Sequence, residues 1–193
     1  RKGAGMALTP LALSALGLLV ERPMHPYEMY LLMLERHEDW MVKVRPGSLY
    51  HSVERLRDAG LVEATGTARE GNRPERTTYA ITAAGREALT NRISELLKKP
   101  VREYPHFPFA IGEAHNLPAE QAIADLTSYA DALDDDIAEI DALMTDVQAQ
   151  GIPEVYWLGG HFIRSMTVAQ RDWIRTCISR IESKDLVWHP HKG

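Results

Sequence analysis

A helix that leads directly into a β-hairpin is the feature of this 193-residue chain that most restricts its fold. The helix is predicted to begin at Arg45-Pro46-Gly47-Ser48, where proline suits the first turn. It is predicted to end at Ala59-Gly60-Leu61, where glycine can adopt the left-handed cap conformation. Residues 61–65 and 77–81 then read as two strands around a polar loop. The sequence therefore predicts a hairpin with a flexible basic tip.

Helix signals flank this segment on both sides. Thr9-Pro10 predicts the start of an apolar helix, and Pro26 predicts the start of a second. Thr82 caps another helix, which ends at Pro100. Three helices, a hairpin and a fourth helix in this order predict a winged helix-turn-helix. In that fold a helix enters the major groove of DNA, and the hairpin, or wing, reaches the neighbouring backbone.

The predicted third helix has a buried stripe and a polar face. Leu49, Val53 and Leu56 are spaced four and three apart, as in a helix packed on one side. Recognition of DNA needs donors and acceptors near the start of a helix whose other side is anchored in a core. The candidate DNA-binding residues on this helix are Ser48, His51 and Arg55, with Tyr50 on the flank.

The predicted wing tip carries two further candidates. Arg69 and Arg73 lie on either side of Gly71-Asn72, so fixed positive charge sits on a loop that can adapt to phosphates or to the minor groove. From the residues alone, a solvated helix face and a solvent-exposed hairpin are the commoner explanation of the same side chains.

The charge of the chain divides near Pro100. Residues 1–100 carry 15 Lys and Arg against 12 Asp and Glu, a net charge of +3, whereas residues 101–193 carry 7 against 15, a net charge of −8. An acidic segment repels phosphates and a mildly basic one attracts them. Any contact with DNA is therefore expected in the first hundred residues.

Several motifs of the N-terminal half resemble the PadR family of transcriptional regulators. Residues 45–62 are similar to its recognition-helix motif, in which Pro-Gly and a tyrosine precede a leucine-rich helix ending in Gly-Leu. Residues 76–86 resemble its second wing strand and following helix, and residues 16–19 with 25–28 resemble its opening pair of helices. The chain departs from the family at Pro26, where glycine is usual, although proline also suits a helix start. The resemblance implies a DNA-binding regulator, and within that family a repressor.

The C-terminal half is predicted to form two long helices. Pro118 opens the first, whose apolar residues alternate spacings of four and three until Gly151-Ile152-Pro153 breaks it. A final helix over about residues 154–182 is expected to bury an apolar face that includes Leu158 and Trp173. The apolar seam of the first helix fits either a contact with this final helix or a contact with a second subunit.

A homodimer is expected because a winged-helix monomer reads only a short half-site, whereas a two-fold dimer reads a palindromic operator. The resemblance implies the same, since longer PadR proteins dimerise through a helical C-terminal domain. The predicted dimerisation residues on the seam are Leu126, Leu133, Ile137, Ile140, Met144 and Val147.

The final helix also offers a candidate site for a small effector. Trp157, His161 and Arg164 fall on one side of it, and such groups could bind an aromatic acid by stacking and by pairing with its carboxylate. Ser14 on the apolar first helix is the expected opposing wall. A solvated helix face explains these residues as well, although some members of the resembled family bind a small aromatic acid.

Other classes of function find little support in the sequence. The eight histidines show no metal-binding spacing, the single cysteine is isolated, and there is no phosphate loop or nucleophile motif. No paired carboxylates occur in a convincing context, since Asp134-Asp135-Asp136 reads as the solvated side of the long helix. We therefore expect no catalytic residues, no metal and no cofactor. No apolar run is long enough to span a membrane, and a cytoplasmic protein is expected. The alternative function is a winged-helix scaffold for protein partners without specific DNA binding.

The predicted fold class is mainly α with a small β-wing. Residues 1–100 are assigned to a winged helix-turn-helix domain that binds DNA. Residues 101–193 are assigned to an antiparallel helical domain for dimerisation and effector binding.

Overall fold

The computed structural model describes residues 8–68 and 76–188, and the chain divides into two compact units between Arg102 and Glu103. The N-terminal unit contains helices α1 (Pro10–Glu21), α2 (Pro26–Glu35), α3 (Pro46–Asp58) and α4 (Ala83–Lys98), and strands β1 (Val62–Ala68) and β2 (Arg76–Ile81). A short 3-10 helix, Glu38–Trp40, lies between α2 and α3. The C-terminal unit contains α5 (His106–Glu113), α6 (Ala119–Ala149) and α7 (Leu158–Glu182), with 3-10 turns at Ala114–Asn116 and Glu154–Trp157.

The predicted caps fix the ends of the N-terminal helices. The Thr9 hydroxyl accepts a hydrogen bond from the Ala12 amide at the start of α1, and the Thr82 hydroxyl accepts one from the Gly85 amide at the start of α4. Gly60 follows α3 with a φ of 72°, in the left-handed region that glycine enters without strain. The Leu61 amide then donates to the Leu56 carbonyl and closes the last turn.

The two strands form an antiparallel hairpin that begins immediately after α3. Val62 pairs with Ile81, and the register shifts between Ala64 and Gly66. Met24, in the connection between α1 and α2, forms an additional bridge with Tyr79. The hairpin is thereby tied to the helices at its base, and its tip, residues 69–75, lies outside the described residues.

The core of the N-terminal unit lies where α1, α2 and α3 meet. The buried stripe predicted for α3 is confirmed, because Leu49, Val53 and Leu56 have no exposed surface. Methionine and leucine side chains from α1 and α2 complete this core; they are Leu16, Leu19, Met29 and Met33. One side of α3 is therefore anchored and the other faces solvent.

In the C-terminal unit, α6 and α7 pack against each other along their length. Ile174, Cys177 and Ile181 are the buried residues of α7, and burial raises the pKa of the Cys177 thiol. The expectation that Leu158 and Trp173 are buried was wrong, since each is more than half exposed. The segment after Pro100 contains α5 and the 3-10 turn that follows it.

Candidate nucleic-acid interface

Helix α3 presents the predicted polar face to solvent. Ser48, His51 and Arg55 are exposed, and so is Tyr50, whose ring meets the edge of the His25 ring at a centroid distance of 5.8 Å. No carboxylate among the described residues pairs with Arg55. Its guanidinium is available for a ligand, because the opposite side of the helix is held in the core.

The beginning of α3 adds two cations that are not among the predicted contact residues. Lys43 and Arg45 are exposed directly before the helix, and Arg45 is its N-terminal boundary residue. No side chain caps this end, so the first amides of α3 also face outward. A sequence signal could have identified these cations, because apolar and basic residues alternate in Val42-Lys43-Val44-Arg45. Both valines are partly buried against the core cluster.

The wing is described only in its strands. The Thr65 and Thr78 hydroxyls lie 3.4 Å apart across the hairpin and stiffen its middle. Arg69 and Arg73, the predicted contacts of the wing tip, lie outside the described residues. Their assignment stays a prediction.

Three of the four residues predicted to bind an effector lie close together in the C-terminal unit. The rings of Trp157 and His161 stack at a centroid distance of 4.5 Å, and His161 Nε2 lies 3.4 Å from Glu154 Oε1. Arg164 forms a two-point ion pair with Asp141 of α6, in which Nη2 lies 3.1 Å from Oδ2. Asp141 therefore holds the guanidinium, and the arginine in turn lowers the pKa of the Asp141 carboxyl.

Ser14, the fourth predicted effector residue, belongs to the N-terminal unit. Its hydroxyl favours the ionised form of Glu38, in the 3-10 turn between α2 and α3, and so acts to lower the pKa of that carboxyl. Burial nevertheless raises the pKa of Glu38. The described contact of Ser14 is thus with a neighbour in its own unit.

The seam predicted for subunit pairing is occupied inside the chain. Leu126, Leu133, Ile137 and Ile140 are less than a tenth exposed on the α6 face that packs against α7. Met144 and Val147 continue this seam and are partly exposed. Of the two arrangements that the spacing allowed, the structure contains the intramolecular one, so the buried residues are not accessible to a second subunit.

The sequence of the N-terminal unit matches one family model. Residues 15–91 match the model of the transcriptional regulator PadR-like family. Residues 15–91 therefore form a PadR-like domain. The resemblance drawn from residues 16–19, 25–28, 45–62 and 76–86 is thereby confirmed.

Solved structures with the PadR fold are similar over most of the chain. Bacillus subtilis PadR in complex with operator DNA superposes with a TM-score of 0.75 at 16% identity, covering 89% of this chain and 97% of that one. The same Bacillus subtilis protein in complex with p-coumaric acid gives a TM-score of 0.72 at 15% identity, with coverages of 91% and 99%. A PadR-like regulator from Bacillus cereus gives 0.65 at 17% identity, with coverages of 90% and 99%. No curated protein matches the sequence.

These likenesses establish a winged-helix fold with a helical C-terminal unit for this chain. The family match contains all of α2, α3 and the hairpin, and therefore every residue predicted to contact DNA. The C-terminal unit lies beyond the match. Among the described residues, no helix combines the length and apolar character needed to cross a membrane.

Proposed function

We propose that this chain is a PadR-like regulator that binds palindromic operator DNA as a homodimer and represses transcription until a small aromatic acid releases it. The observation that carries the proposal is the exposed polar face of α3, anchored by a fully buried stripe within the domain that defines the family. Such a helix is suited to the major groove. A mobility-shift titration with the DNA that flanks its own gene, with and without the acid, tests the proposal. A protein that binds operator DNA would act in the cytoplasm, where bacterial DNA lies.

The proposed contacts fall into two groups. Arg55, His51 and Ser48 would reach base edges, where arginine can donate two hydrogen bonds to guanine, and Tyr50 would contact the groove from the flank. Arg69 and Arg73 on the wing, together with Lys43 and Arg45 at the start of α3, would hold phosphates. The uncapped amides of α3 support this second group, because a helix N-terminus attracts phosphate oxygens.

Replacing Arg55 with alanine should weaken operator binding by about 1–3 kcal/mol and relax the preference for the base it reads. The matched control is Arg57→Ala on the same helix, about half a turn from Arg55, where the guanidinium pairs with Asp58 at 2.9 Å. Mobility shifts on the operator and on scrambled DNA measure both effects. Equal losses in the two variants would contradict the assignment of Arg55.

Arg69→Ala should lower the affinity for DNA without altering the preference for base sequence. Each phosphate contact that is lost lowers the slope of log affinity against log salt by about one unit. A salt titration also separates this proposal from the alternative scaffold function. A module that binds only proteins would show no DNA affinity that falls with salt concentration in this way. An unchanged slope would remove Arg69 from the interface.

Pairing of two subunits is assigned to the exposed apolar stripe of α7. This stripe consists of large apolar residues spaced four, four and seven apart, which places them on one face of the helix. Each is more than half exposed; they are Leu158, Phe162, Met166 and Trp173. A contiguous apolar stripe of this kind marks a protein interaction surface. Two-fold pairing would place two α3 helices about 34 Å apart, one helical turn of DNA.

The effector proposal rests on the cluster of Trp157, His161 and Arg164. Asp141 accepts from Nε and Nη2 of Arg164, so the remaining N–H groups, including those of Nη1, can still donate to a ligand carboxylate. The stacked Trp157 and His161 rings offer an aromatic surface beside it. The p-coumaric acid complex of Bacillus subtilis PadR supports a phenolic acid as the ligand. The role predicted for Ser14 stays a prediction.

Arg164→Ala should preserve operator binding and abolish release by p-coumaric acid. A hundredfold release corresponds to about 2.7 kcal/mol of differential binding, within reach of one arginine–carboxylate pair and a covered ring. Arg175→Ala is the matched control, because it removes another ion pair between α7 and α6, that with Asp134. Calorimetry and mobility shifts with the acid measure the response. If Arg164→Ala still releases DNA like the parent protein, the acid binds elsewhere.

A further inference from the structure

An apolar groove of about 310 Å³ lies between α5 and the first turns of α6 in the C-terminal unit. Carbon atoms form most of its surface, from side chains that include Phe107, Ile111, Leu117 and Leu126. The volume falls at the lower end of the range for small-molecule sites, about 300–1,000 Å³. It admits one or two fused rings.

The walls of the groove are fixed from three directions. Phe107 packs on Tyr129 at a centroid distance of 4.6 Å and meets Trp173 edge-on at 6.4 Å. The Gln170 amide of α7 lies 3.4 Å from the Tyr129 hydroxyl. At the other end, Trp188 Nε1 donates a 2.8 Å hydrogen bond to the Leu117 carbonyl and holds the C-terminal segment there. A ligand would therefore enter a preformed site and would order little of the chain.

The negative charge at and around the groove favours a positively charged ligand. Asp125 is the single acidic side chain among its described lining residues; it accepts a 2.8 Å hydrogen bond from Gln121 and keeps other lone pairs free. Residues 103–193 carry 6 Lys and Arg against 15 Asp and Glu, a net charge of −9. The faces of aromatic rings such as Phe107 and Tyr129 also attract cations. Each of these features favours a positive ligand and disfavours a carboxylate.

We propose that this groove binds a small aromatic cation, a protonated amine attached to one or two fused rings. The rings lie between the α5 and α6 side chains, and the ammonium group pairs with Asp125 at the rim, beside His106. This ligand has the opposite charge to the proposed phenolic effector and uses none of Trp157, His161 or Arg164. Binding of the amine at this groove is therefore independent of the proposed release of DNA by acids.

The test is calorimetric titration of the full chain with naphthylmethylamine and with naphthoic acid, which share their rings and differ in charge. All titrations use the Arg164→Ala background, so that the proposed acid site contributes no heat. We expect saturable binding of the amine and binding of the acid at least about tenfold weaker at this groove. Asp125→Asn keeps the shape and the Gln121 contact and should weaken amine binding by about tenfold. Asp131→Asn, an exposed acid of α6 outside the groove, should leave it unchanged.

A blocking variant separates the groove from other sites. Ala110 is an exposed lining residue of α5, so Ala110→Trp should fill the groove and abolish amine binding without unfolding the chain. No heat with the amine, equal affinity for amine and acid, or equal effects of the two aspartate variants would overturn the proposal. Dissociation of a dimer by Ala110→Trp would also overturn it, because the groove would then be a contact between subunits.

Discussion

Gly85→Ala is expected to destabilise the N-terminal unit by about 3 kcal/mol, near the upper end of the cost of overpacking a core. Gly85 lies in the first turn of α4, where a Cβ atom would be 2.0 Å from the Leu61 carbonyl oxygen and 2.8 Å from Ile81 Cγ1. The oxygen cannot move away without loss, because it accepts a hydrogen bond from the Thr82 amide. The alanine must therefore displace α4 from the base of the hairpin.

Urea denaturation followed by circular dichroism measures the effect of Gly85→Ala. Gly17→Ala is the matched control, since a Cβ atom at Gly17 meets nothing within 4 Å in the middle of α1. That change should leave stability unchanged or raise it by up to about 1 kcal/mol, the difference in helix propensity between the two residues. Similar midpoints for the two variants would contradict the close packing of α4 on the hairpin.

The N-terminal unit could be predicted from sequence because its decisive signals are local. Thr9, Gly60 and Thr82 act on the helix to which each is adjacent, and the stripe on α3 follows from spacing within one helix. The constraint at Gly85 could not be predicted in this way. It arises from the Leu61 carbonyl, which only the folded structure brings against α4.

The C-terminal unit was predicted less completely because periodicity identifies an apolar face but does not name what covers it. The seam on α6 satisfied the pattern of a subunit contact, yet α7 of the same chain occupies it. Charge had the same ambiguity. Asp134 was expected on a solvated face, whereas it pairs with Arg171 at 3.0 Å and also with Arg175. Arg164 likewise pairs with Asp141, a partner 23 residues away that no local pattern identifies.

The occupied seam changes which variant reports on pairing. A charge at Ile137 would lie in the buried contact between α6 and α7, so it would damage each subunit whether or not two subunits associate. Phe162 on α7 is 67% exposed, and a charge there leaves the core of the single chain intact. Phe162 therefore separates pairing from folding, which Ile137 cannot do.

Phe162→Asp is expected to convert the proposed homodimer to a monomer and to lower operator affinity by about a hundredfold or more. The carboxylate would be buried without a partner in the contact between two α7 stripes, a cost of several kcal/mol. Each monomer then holds one half-site alone, and joining two binding modules contributes a factor of about 10²–10⁴ in affinity. Sedimentation at micromolar concentration and mobility shifts on the operator measure the two losses.

The matched control for Phe162→Asp is Ala124→Asp, which places the same charge on an exposed position of α6 away from the α7 stripe. It should leave the dimer and operator binding unchanged. Because Phe162 is exposed in the single chain, both variants should keep the helical content of the parent protein. A monomeric parent protein would contradict the proposed pairing. A dimer that persists in Phe162→Asp with normal operator affinity would show that the subunits associate through another surface, since an aspartate cannot be buried in the proposed contact without this loss.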